Sequence, residues 1–175
     1  DKKPNKVPSQ ALIERTKQEI GSQYLSIQGN KLVKSKPELY VDLSSIAKGY
    51  GVDAVATWLE SKGLDDYLIE VGGELRAKGV KPDGTPWRIA IETPTIDARQ
   101  IYQVINVSNI AVATSGNYRN YYELDGVRYA HTLDPHTLRP VTHNLASVTV
   151  MDASAARADA LATALMVMGS EKGII

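Results

Sequence analysis

The feature that most limits how this chain can fold is the rhythm of its turns. Short apolar runs follow one another at close spacing, broken by Gly29-Asn30, Gly72-Gly73, Lys81-Pro82-Asp83-Gly84 and Asp125-Gly126. Tight turns of this kind join antiparallel strands, because a parallel pair needs a crossover of about a dozen residues or more. The runs at 24–27, 31–33, 39–43, 67–71, 74–80, 87–92, 101–107, 110–113, 118–124, 127–133 and 144–151 read as strands. Three stretches carry helical spacing instead. Residues 9–20 start at a capping Ser9 and place Leu12, Ile13, Thr16 and Ile20 on one face. Residues 46–62 turn Val52, Val55, Ala56 and Leu59 inward and stop at Gly63, while 155–168 stop at Gly169. The pattern predicts an α+β domain with a mixed or antiparallel sheet and packed helices.

Composition enters by exclusion. Twenty basic against 20 acidic side chains argue against a nucleic-acid partner or a polybasic membrane patch. The absence of Cys removes disulfides, thiolate nucleophiles and cysteine-ligated metal centres. No stretch approaches the ~18–20 apolar residues of a membrane span. At 175 residues the chain has the length of one domain or most of one. Residues 1–8 lack an initiator Met and read as a solvated linker, and the chain stops on Ile174-Ile175. The expectation is a fragment.

Four clusters carry possible chemistry. In the first, a strand gives way to a helix across Asp42-Leu43-Ser44-Ser45-Ile46-Ala47-Lys48-Gly49-Tyr50. Free amides and the helix dipole favour an anion there, and Lys48 sits poorly against that dipole unless an anion compensates it. A well-capped helix with an exposed lysine is the structural alternative. In the second, Asp159 and Thr163 stand four residues apart on one helix face. A carboxylate with a hydroxyl is a hard-oxygen pair suited to Mg²⁺. Alternatively, Thr163 bonds back to its own helix and Asp159 pairs with Arg157 or solvent. Ala158, Ala160, Ala162 and Ala164 either leave room there or simply allow close packing.

The third cluster, residues 113–122, offers Ser115, Arg119 and three Tyr: an anion fork and flat stacking surface, or else a strand–turn–strand with half-buried Tyr. The fourth holds all three His, at 131, 136 and 143. His131, at a strand end beside Asp134-Pro135, is a candidate general base, with a solvated loop His as the alternative. The 131/136/143 spacing fits no usual zinc pattern, and His136 and His143 are expected to line the following loop. Ser115, His131 and Asp134 lack the Gly-x-Ser-x-Gly elbow of a hydrolase. Gly49-Tyr50-Gly51 and Gly72-Gly73-Glu74 lack dinucleotide-loop spacing. Taken together, the clusters point to Mg²⁺, phosphate, a planar ring and a base.

Five segments in order then resemble the ApbE-type FAD:protein FMN transferases: residues 41–53, 70–74, 114–119, 131–135 and 158–164. Ser44-Ser45 departs from the Gly or Ala of many members, which matters little if a backbone carbonyl is the ligand. The resemblance implies an ApbE-like fold and a Mg²⁺-dependent enzyme that splits FAD at its pyrophosphate. FMN would pass to a Thr or Ser hydroxyl of a target protein, with AMP released. Asp42, Lys48, the backbone at Leu133, Ser115 and Arg119 would contact FAD. The Ser45 carbonyl, Asp159 and Thr163 would hold the metal, and His131 would take the acceptor proton.

The family is roughly twice this length, so residues 1–175 correspond to the central and C-terminal portion of one flavin-transferase domain. The N-terminal portion would add further flavin contacts, a signal peptide and often a lipid-anchored Cys. That implies a periplasmic protein anchored to the inner membrane. Its acceptors would be flavin-carrying subunits of sodium-pumping NADH:quinone oxidoreductase or related electron-transport complexes. An FAD pyrophosphatase and a non-enzymatic flavin-binding module are the competing readings. The latter has no need of Asp159 and Thr163 at helical spacing.

Overall fold

Ser9 starts the first helix as its sequence requires: its hydroxyl accepts the Leu12 amide at the head of α1 (Gln10–Lys17), which buries only Ile13. The computed structural model describes residues 7–95, 100–118, 121–124 and 127–173. A hairpin follows, β1 (Leu25–Gln28) against β2 (Lys31–Lys34), turning at Gly29 with φ +59°. Then come α2 (Ala47–Ser61), β3 (Tyr67–Val71), β4 (Glu74–Lys78), β5 (Trp87–Glu92), β6 (Ile101–Val107) and β7 (Ile110–Gly116). The remainder is β8 (Tyr121–Leu124), β9 (Val127–Ala130), β10 (Leu133–Asp134), β11 (Arg139–Pro140), β12 (Ser147–Asp152), α3 (Ala155–Met168) and one short turn of helix, Ser170–Gly173.

The central sheet has the order β12-β7-β4-β3. Every strand pairing among the described residues is antiparallel, so the antiparallel form of the expectation is the one realised. Side chains alternate across a strand, and that alternation divides the core in two. On one face Tyr67, Ile69 and Ala111 meet Val52 and Ala56 of α2 and Ala155 of α3. Further along that face Ala113 meets Ala158 and Ala162 of α3, with Val150 beside them. On the other face Ala77 and Val112 pack against Ile89 and Val107 of the β5–β6 hairpin. Val52 is fully buried, a burial that contributes roughly 1.5–3 kcal/mol. Ala160 is half-buried and Ala164 exposed, whereas Ala111 and Ala113 of β7 and Ala155, Ala158 and Ala162 of α3 are contact residues that bring helix and sheet close. They pack; they do not leave space.

Three expectations change. Residues 39–43 form no strand: the Lys34 ammonium donates to the Pro37 and Leu39 carbonyls at 2.6 and 3.0 Å, and Asp42 takes the Ser44 amide. Leu39 and Leu43 bond instead to side chains and to local backbone, the Leu39 amide to Lys36 and the Leu43 carbonyl to Ile46 and Ala47, where the sequence pattern implied a neighbouring strand. Val55 is 42 % exposed, because the buried stripe of α2 runs through Gly49, Val52 and Ala56. The strand expected at 118–124 begins at Tyr121, and the one expected at 127–133 ends at Ala130, with β10 a separate short piece. The Asp125-Gly126 turn lies outside the described residues. Among the described residues no helix is long and apolar enough to cross a membrane.

Candidate active site

The first amides of any helix need partners beyond the helix itself. At α2 the N-cap residue is Ile46, whose side chain has no capping group. The expected local cap is absent. Instead the Gly49 amide donates to Asp159 Oδ2 at 3.0 Å, from a residue 110 positions downstream on α3. Asp159 is 4 % exposed, so this is a buried, charge-assisted hydrogen bond. Arg157, the alternative partner considered for Asp159, pairs with Asp152 at 3.4 Å.

The capping is reciprocal. Asp53 of α2 accepts the Ser154 hydroxyl at 2.7 Å and the amides of Ala155 and Ala156 at 3.0 Å each, all at the head of α3. Arg76 of β4 completes the set at 2.9 Å. The two helices thus cross with each first turn held by the other's carboxylate. Gly49 makes the approach possible: a Cβ there would stand 2.3 Å from the Ala155 carbonyl oxygen. Burial alone would raise the Asp53 carboxyl, but the Ala156 and Ala155 amides, Ser154 and Arg76 outweigh it and hold it below its ordinary value. A carboxyl depressed in the folded state stabilises above its unfolded pKa of about 3.9 and loses that contribution as pH falls through the lower folded value. Stability measured by denaturant titration is expected to fall below about pH 4, and Asp53→Asn to show a shallower fall across that window. Parallel curves for the two proteins would contradict the assignment.

Lys48 finds its compensating anion within the protein. Its ammonium lies 2.7 Å from Glu74 Oε1 and 2.6 Å from Oε2, and 3.4 Å from the Gly72 carbonyl. Glu74 is 2 % exposed and opens β4 just past the Gly72-Gly73 turn. Burial pushes its carboxyl up, with Lys48 opposing and Asp159 adding to the rise. Asp42, exposed at the approach to α2, holds the Ser44 amide at 2.7 Å. That backbone hydrogen bond keeps its carboxyl below the usual range.

Strand alternation places Ser115 on the same sheet face as Ala111 and Ala113, under α3. Its hydroxyl meets Thr163 Oγ1 at 3.2 Å, so a residue assigned to FAD and one assigned to the metal stand together. Thr163 therefore reaches across to β7. Leu133 is exposed on β10, pairing with Pro140. His131 lies exposed between β9 and β10. Its neighbour Thr132 donates to Asn117 Oδ1 at 2.7 Å, and Asn117 Nδ2 donates to Met166 Sδ at 3.2 Å. The His131 segment is thereby tied to the helix that carries Asp159 and Thr163. Arg119 lies outside the described residues. His136 is exposed, its amide bound to Asp134 Oδ1. His143 does more than line a loop: its Nε2 donates to the Met166 carbonyl at 2.8 Å, and its ring closes against Gly169.

Asp159, Thr163 and the Ser45 carbonyl are the oxygens that could hold a small hard cation. Asp159 gives a buried carboxylate, Thr163 a hydroxyl, and the Ser45 carbonyl accepts no backbone bond among the described residues, since the Gly49 amide has turned to Asp159. Among those residues no group of three or more His, Cys, Asp or Glu gathers as a metal site. A cation held by these residues would depend on one carboxylate with neutral oxygens, the ligand style of Mg²⁺. Glu74, Asp53, Gly49 and Asn117 fall in the family-like segments, but sequence reasoning gave them no role. Only Glu74 left a readable signal, the anion that Lys48 required.

An antiparallel sheet under two helices whose first turns are each held by the other's carboxylate defines an α+β class of protein. The chain belongs to the ApbE family, whose model matches residues 1–174. It is 52 % identical over 172 residues to the FAD:protein FMN transferase of Vibrio cholerae serotype O1, covering 98 % of this chain and 52 % of that protein. It is 44 % identical over 176 residues to the Escherichia coli K12 protein of the same name, covering 98 % and 50 %. Among solved structures it resembles the flavin transferase ApbE from Vibrio cholerae, with a TM-score of 0.87 and 50 % identity over 99 % of this chain and 55 % of that one. The apo form of Pseudomonas stutzeri flavinyl transferase ApbE gives 0.84 and 49 % over 97 % and 52 %. The chain spans about half the length of the curated relatives it matches.

Proposed function

We propose that the protein containing this chain transfers FMN from FAD to a Thr or Ser hydroxyl of a target protein and releases AMP. The observation that carries this reading is the Asp159–Gly49 bond, which brings Asp159 of α3 to the head of α2, next to Lys48 in the chain; in this reading Thr163 and the Ser45 carbonyl complete an oxygen set there. A module that merely stored flavin would gain nothing from that oxygen set.

In this reading the acceptor oxygen forms a bond to the FMN phosphorus as the bridging bond of the pyrophosphate breaks. The bridging oxygen leaves with AMP. His131 takes the proton from the acceptor hydroxyl, which is a weak nucleophile at neutral pH. Lys48, Asp42, Ser115, Arg119 and the Leu133 backbone hold FAD. Asp159, Thr163 and the Ser45 carbonyl would hold Mg²⁺, which when bound neutralises charge on the pyrophosphate. His131→Ala is expected to lower kcat by roughly 10²–10⁴-fold while FAD binding stays near its original value. Weakened FAD binding with an unchanged chemical step would make His131 a positioning residue.

The family resemblance supports two wider proposals. The intact protein is periplasmic and lipid-anchored to the inner membrane. Its acceptors are flavin-carrying subunits of sodium-pumping NADH:quinone oxidoreductase or related complexes. Acceptor dependence tests the reaction: intact protein with FAD and Mg²⁺ is expected to release AMP in step with acceptor labelling. AMP and free FMN formed equally well without acceptor would establish the pyrophosphatase reading instead.

A further inference from the structure

We propose that Glu74 is a positioning residue for Lys48, holding the ammonium in one place beside the head of α2 so that it meets the diphosphate of FAD. This rests on the functional reading above. Glu74 is almost wholly buried, yet its described partner is a lysine whose side chain remains 46 % exposed. Such a pair is a poor device for stability, because the desolvation of the buried carboxylate offsets much of the attraction, and an apolar replacement is often neutral or better. Its value lies in geometry.

Two residues build the cradle. Gly72, at φ +60°, carries the β3–β4 turn, and a Cβ there would stand 3.1 Å from Lys48 Cδ, so the turn leaves a groove for the lysine stem. The Gly72 carbonyl and the Glu74 carboxylate then take the ammonium from the protein side. An ammonium has three N–H donors, so one is left for a ligand on the exposed side. Burial raises the Glu74 carboxyl and Lys48 opposes that rise. An unheld lysine would have to be ordered when FAD arrives, and a long side chain ordered at that moment weakens binding by about tenfold.

The test uses the full-length protein with Glu74→Gln, Lys48→Met and the double substitution. FAD Kd is measured by flavin fluorescence quenching in chelator, alongside KM, kcat and the thermal midpoint. Glu74→Gln is expected to raise Kd and KM by about tenfold, with a much smaller change in kcat. The double substitution is expected to bind FAD no more weakly than Lys48→Met alone. Glu74→Gln with an unchanged Kd would overturn the proposal, as would a Glu74→Gln effect that persists in full without Lys48. Should Glu74→Gln prove too unstable to assay, the double substitution orphans no buried charge and decides the matter by the same comparison. A protein that binds FAD but transfers no FMN would overturn the functional reading, and the Kd comparison would still decide the role of Glu74. One that binds no FAD overturns both.

Discussion

Replacing Gly49 by alanine is expected to destabilise the full-length protein by about 3 kcal/mol or more. Helix propensity alone predicts the opposite, a gain of about 1 kcal/mol for alanine over glycine inside a helix. The sign of the change therefore separates local from tertiary control. A Cβ at this position would lie 2.3 Å from the Ala155 carbonyl oxygen and 2.7 Å from Ala156 Cα. Both are backbone, so relief requires the helices to move apart. Separation would in turn break the Gly49–Asp159 bond and the three bonds from the head of α3 to Asp53. Denaturant titration reads the effect directly. A protein as stable as the original, or more so, would contradict the helix crossing.

The largest effect on activity is expected at Asp159, where two substitutions separate its structural task from its chemical one. Asparagine keeps an acceptor for the Gly49 amide and removes the charge. Asp159→Asn should therefore fold with a loss of about 1 kcal/mol or less, while Mg²⁺-dependent turnover falls by about 10²-fold or more. Alanine removes both, and Asp159→Ala should lose the same turnover together with about 1–3 kcal/mol from the orphaned buried amide. Turnover preserved in Asp159→Asn would refute the metal assignment while leaving the cap intact.

What was legible in the sequence was what local physics decides. The ends of α3 follow from Ser154, whose hydroxyl accepts the Arg157 amide, and from Gly169 at φ +75°. Strands β3 to β7 announced themselves by residue type and by the turns between them. Residues 39–43 carry strand-type residues too, but a strand exists only where a partner completes its ladder, and here Lys34 takes the Leu39 carbonyl while turn bonds take the Leu39 amide and the Leu43 carbonyl. The site divides along the same line. Asp159 and Thr163 were readable because helical spacing is local. The cap that Asp159 provides at Gly49, the cap that Asp53 provides at Ala155 and the Ser115–Thr163 contact join positions 48 to 110 residues apart, and no window of sequence carries them. Glu74 lies between these cases. A glutamate after a Gly-Gly turn reads as exposed, and only its phase with Arg76 along β4 turns it toward the helices.

Covalent labelling tests the central claim most directly. Intact protein is incubated with FAD, Mg²⁺ and a flavin-acceptor domain, then separated by denaturing electrophoresis and imaged for flavin fluorescence. The expected result is a fluorescent acceptor band that disappears with Asp159→Asn or when the acceptor hydroxyl is removed. Free FMN and AMP beside an unlabelled acceptor would contradict FMN transfer.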